Sequence, residues 1–130
     1  MSKGKRILVV DDDIDLLDQV SMLLERDGFE VVRAQGRVEG EEALMRVRPD
    51  LAVLDLMMEE MDSGFVLCHE VKRLYPGTPV IMLTAVTAET GMDFKVTGGD
   101  AQSWVKAEMI LDKPVRPEQL SAAVRKLLSA

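Results

Sequence analysis

Cysteine is nearly absent: Cys68 is the single one in 130 residues. An internal disulfide is excluded, which suits a reducing compartment. Aromatic residues are sparse, with one Trp, one Tyr and three Phe, so a core has to be built mainly from aliphatic side chains. No apolar run approaches the ~18 residues of a membrane span, and no signal-peptide pattern is present. Positive charge is also short. Lys and Arg number 16 against 23 Asp and Glu, for a net charge of −7 and a pI near 4.7. Phosphate backbones are bound by basic faces, so this balance argues against direct nucleic-acid contact and for proteins or cations as partners. These absences predict a cytoplasmic, bacterial-type protein with no membrane association.

Apolar residues make up 47% of the chain and charged residues 30%, the balance of a folded globular domain. The length predicts one domain over 1–130, because ~100–150 residues is the commonest domain size. There is no internal repeat, low-complexity stretch or interdomain linker. Short apolar runs alternate with helical periodicity, the signature of an α/β domain with a parallel sheet. Strands are predicted at Arg6–Val10, Phe29–Ala34, Leu51–Leu54, Pro79–Thr84 and Met109–Leu111. A first helix presents Leu17, Val20 and Leu24 on one face and stops at Gly28. A second spans about Val38–Val47, ahead of Pro49, and a third spans Gly64–Leu74, closed by Tyr75-Pro76-Gly77. A later helix opens at Pro117 and carries Leu120, Val124, Leu127 and Leu128 on one stripe. Between Ala88 and Glu108 the glycines at 91, 98 and 99 interrupt any single helix, so two short helices are expected.

Acids stand where strands stop: Asp11 and Asp12 after the first, Asp55 after the third. In an open parallel sheet the carboxyl ends of the strands share one edge, where ligands bind. Carboxylates gathered there repel one another until a hard, oxygen-seeking cation sits among them. This points to a Mg²⁺ site beside a reactive aspartate. Asp13 is read as the N-cap of the first helix; a helix needs one cap, which leaves Asp11 and Asp12 for the metal.

Asp11-Asp12, Asp55, Thr84-Ala85 and Lys113-Pro114, in that order at the ends of strands 1, 3, 4 and 5, resemble the receiver domain of two-component response regulators. The resemblance covers nearly the whole chain. It implies a doubly wound, flavodoxin-like (βα)5 fold with strand order 2-1-3-4-5, and no output domain in this chain. It implies that Asp55 accepts a phosphoryl group from a sensor histidine kinase, a phosphotransfer protein or a small donor. Mg²⁺ would be held by Asp11, Asp12, Asp55 and the backbone carbonyl of Met57, while Thr84 and Lys113 contact phosphoryl oxygens. Lys113-Pro114 is expected to be cis. The output is a protein partner or a homodimer, and the chain is a signalling switch rather than an enzyme with a separate substrate. Met57 and Val86 flank the path of the hydrolytic water in this family; both are apolar here, which implies slow loss of phosphate.

The chain departs from the family in three places. The loop after Asp55 reads Met58-Glu59-Glu60-Met61-Asp62-Ser63-Gly64, without the usual proline and with one extra residue. Ile110 stands where many receivers carry an inward-turning aromatic. The usual Gly-Ala turn before the fifth strand is missing. Trp104 and Phe94 are candidate interface anchors there, or fill the core of a domain poor in aromatics. His69 is expected at the surface and Cys68 in or near the core. Two other readings compete: a degenerate receiver acting as a phosphorylation-independent scaffold, and an aspartyl phosphatase, which would need an acid where Met57 stands.

Overall fold

A computed structural model describes residues 5–55, 63–84, 107–112 and 115–129. Within these residues, β1 (Arg6–Val10), β2 (Glu30–Ala34), β3 (Leu51–Asp55), β4 (Val80–Thr84) and β5 (Met109–Asp112) form one parallel sheet in the order 2-1-3-4-5. Helices α1 (Ile14–Arg26), α2 (Arg37–Arg46), α3 (Ser63–Leu74) and α4 (Pro117–Ser129) accompany it. The order agrees with the expected doubly wound topology. The two short helices expected between Ala88 and Glu108 lie outside the described residues.

Strict alternation along the strands builds a core on each face of the sheet. Leu8 and Val10, Ala52 and Leu54, and Val80 and Met82 join Ala43 and Leu44 of α2 and Leu67, Cys68 and Val71 of α3 on one side. Ile7 and Val9, Leu51 and Val53, and Ile81 and Leu83 join Leu17, Val20 and Leu24 of α1 and Leu120, Ala123 and Val124 of α4 on the other. Cys68 is fully buried, His69 is exposed, and Ile110 packs against the α2/α3 side.

At the starts of β2 and β4, which differ from the sequence reading, backbone hydrogen bonding gives the reason. Phe29 does not begin β2 because its amide donates to the Leu24 carbonyl at 3.0 Å, while Gly28, at φ 99°, donates to Glu25. These two bonds close α1 in a Schellman motif that needs a left-handed glycine. Pro79 has no amide to donate, so β4 starts at Val80; the Pro79 carbonyl still accepts from Ala52. Helix α2 approaches the sheet and α3 closely at Gly40, where a Cβ would stand 3.1 Å from both Leu67 methyls and 3.4 Å from Val10.

Candidate functional site

Strands β1 and β3 are neighbours, and their register pairs Val10 with Leu54. One step further along, Asp11 comes beside Asp55. Both are buried, at 3% and 4% exposure, whereas Asp12 is exposed. Carboxylate oxygens of Asp11, Asp12 and Asp55 lie within 4.8 Å of one another. Two unit charges at that separation repel by about 3.5 kcal/mol at an effective dielectric of about 20. A cluster of carboxylate oxygens this tight suits a small, hard divalent cation, and its oxygen-only donors match Mg²⁺ rather than a thiolate- or imidazole-seeking metal.

The neighbouring backbone holds this geometry. The Asp11 amide donates to the Ala34 carbonyl at 3.2 Å, carrying the β1–β2 ladder one residue past the strand. Asp11 Oδ1 accepts from the Asp13 amide at 2.9 Å, and Asp13 in turn accepts from the amides of Asp15 and Leu16. Asp13 is therefore the N-cap of α1, as its position suggested, and the first two acids of the run remain with the cluster. At the same sheet edge, Glu39 reaches back from the first turn of α2 to accept from the Gln35 amide at 2.7 Å. The sequence reading missed this. Its signal was a Glu three residues after Gly36, a cap with no side chain of its own.

Thr84 ends β4 and is fully buried. The β3–β4 register pairs Asp55 with Leu83, which sets Thr84 one residue beyond Asp55 on the adjacent strand, and across the sheet Thr84 pairs with Asp112 of β5. Asp11, Asp12, Asp55 and Thr84 thus meet at one edge. Lys113 follows Asp112 directly in the sequence. Met57, the 58–62 part of the acidic loop, Val86, Phe94, Trp104, Lys113 and Pro114 lie outside the described residues.

Comparison with known proteins matches residues 7–125 to the response regulator receiver domain. The chain belongs to this family. The receiver is 37% identical over 125 residues to the DNA-binding dual master transcriptional regulator RpaA of Synechocystis, covering 95% of this chain and 48% of RpaA. It is 35% identical over 121 residues to the DNA-binding response regulator MtrA of Mycobacterium tuberculosis, covering 93% of this chain and 49% of MtrA. The chain spans about half the length of these curated relatives. Both are named as DNA-binding, so the exclusion of nucleic acid drawn from net charge finds no support in them. Among solved structures, a receiver domain protein from Methanospirillum hungatei superposes with a TM-score of 0.82 at 29% identity, over 96% of this chain and 94% of that one. One from Clostridium thermocellum gives 0.80 at 28%, with the same coverage. Among the described residues no helix is long and apolar enough to cross a membrane.

Proposed function

We propose that the receiver is switched by phosphorylation of Asp55 in the presence of Mg²⁺. The observation that carries this reading is the convergence of three carboxylates within 4.8 Å, with Asp55 buried at the end of β3. Asp11, Asp12 and Asp55, with the backbone carbonyl of Met57, are the proposed metal ligands. When bound, Mg²⁺ neutralises phosphoryl oxygen charge and relieves the repulsion among the acids.

The chain's own residues position and stabilise. An Asp55 carboxylate oxygen forms the new bond to phosphorus as the bond to the donor breaks, and the donor, a histidine nitrogen of a sensor kinase or phosphotransfer protein, leaves with the electron pair. The Thr84 hydroxyl donates to one phosphoryl oxygen and the Lys113 ammonium pairs with another. Met57 and Val86 offer no group to orient water, which makes the acyl phosphate long-lived. The output is a change in binding to a downstream protein or to a second receiver, in the cytoplasm.

Incubation with acetyl phosphate and Mg²⁺, followed by intact-mass measurement, tests the reading. One phosphoryl adduct is expected on the parent and none on Asp55→Asn. The same adduct on Asp55→Asn overturns the assignment.

A further inference from the structure

At the opposite edge of the sheet from the acids, Glu108 immediately precedes β5. Its amide donates to the Val80 carbonyl at 3.0 Å, and its carboxylate accepts from the Val80 amide at 2.8 Å. The other carboxylate oxygen accepts from Lys72 Nζ of α3 at 2.6 Å, and Lys72 also donates to the Thr78 carbonyl at 2.9 Å. Lys72 is well covered, with its side chain 15% exposed. One carboxylate thus ties α3, the start of β4 and the start of β5 together. The same arrangement recurs at Asp50, which precedes β3: its amide donates to the Arg6 carbonyl at 2.7 Å and its carboxylate accepts from the Arg6 amide at 2.8 Å.

The two clamps differ in what else holds their strand. β3 lies between β1 and β4, so its register is set from both sides; among the described residues β5 is an edge strand of four residues with β4 as its one neighbour. Alternation of side chains resists a slip of one residue, because that would turn Met109 and Leu111 to the wrong core. It does not resist a slip of two, which keeps every face and moves the strand by about 6–7 Å. For β5 the Glu108 clamp supplies that missing discrimination.

We propose that Glu108 is a positioning residue for phosphoryl chemistry at the far end of β5, fixing the register that sets Asp112, the residue before Lys113 in the sequence, opposite Thr84. This rests on the Asp55 reading above. Its test compares the initial rate of phosphorylation by acetyl phosphate at saturating Mg²⁺ in Glu108→Ala, Glu108→Gln, Lys72→Met and Asp50→Ala. Glu108→Ala should fall by about fivefold, equivalent to about 1 kcal/mol in the barrier. Its Mg²⁺ affinity should be unchanged, because the acids sit on β1 and β3. Glu108→Gln should recover most of the rate, since its amide oxygen still accepts from Val80. Lys72→Met, which removes the ion pair and the bond to the Thr78 carbonyl but leaves the Glu108–Val80 pairing, should lose less than Glu108→Ala and serves in its place if that variant does not fold. Asp50→Ala should melt earlier yet phosphorylate at the parental rate, which separates positioning from plain destabilisation. Parental rates in the Glu108 and Lys72 variants, or an equal fall in Asp50→Ala, overturn the proposal. A parent that takes no adduct instead removes the Asp55 reading on which it stands.

Discussion

The Ser121 hydroxyl donates to the Asp27 carboxylate at 2.6 Å, joining α4 to the C-cap of α1 across 94 residues of sequence. Arg125 approaches the other Asp27 oxygen at 3.4 Å. Ser121 is buried and the Asp27 side chain is only 13% exposed, so the bond is largely shielded from water. Ser121→Ala should cost about 1–2 kcal/mol, the usual loss when a charged acceptor is deprived of a buried donor. Urea denaturation measures it, and an unchanged midpoint would count against this contact.

Ser21 makes the opposite case on the same helix. Among the described residues its hydroxyl is buried without a hydrogen-bond partner. Ser21→Ala removes that desolvated group and raises helix propensity, so stability should rise by about 0.5–1.5 kcal/mol. A melting temperature at or below the parent's would contradict it.

Metal binding separates three adjacent acids. Mg²⁺ should raise the parent's melting temperature, since a ligand of the folded state stabilises it by mass action. Asp12→Ala should abolish this response. Asp13→Ala should keep it while costing about 1 kcal/mol through the lost N-cap. Differential scanning fluorimetry across a Mg²⁺ titration distinguishes the two, and a retained response in Asp12→Ala would remove Asp12 from the ligand set.

Gly40 predicts a steric limit between α2 and α3. A Cβ there meets two buried Leu67 methyls at 3.1 Å, so Gly40→Val, with two further methyls, should overpack the core by about 1–3 kcal/mol. Unfolding free energies for this variant at or above the parent's would show that Leu67 has room to move.

Much of this architecture was legible from the chain alone, because periodicity of two and of 3.6 is a local property and each apolar run stops at a residue with a local reason to stop. Gly28 ends α1 and Asp13 caps it with its own side chain, whereas the start of β4 was read one residue early, at Pro79. The order of Asp11-Asp12, Asp55 and Thr84 at strand ends was likewise readable, since a parallel sheet gathers those ends on one side. Register was not readable. That Asp11 stands beside Asp55, that Thr84 faces Asp112, and that Glu108 and Asp50 close the first amides of neighbouring strands follow from pairings between segments some 25 to 45 residues apart. So does the bond from Ser121 to Asp27. Such contacts depend on how two cores bring elements together in space, and composition and local spacing carry no record of that distance.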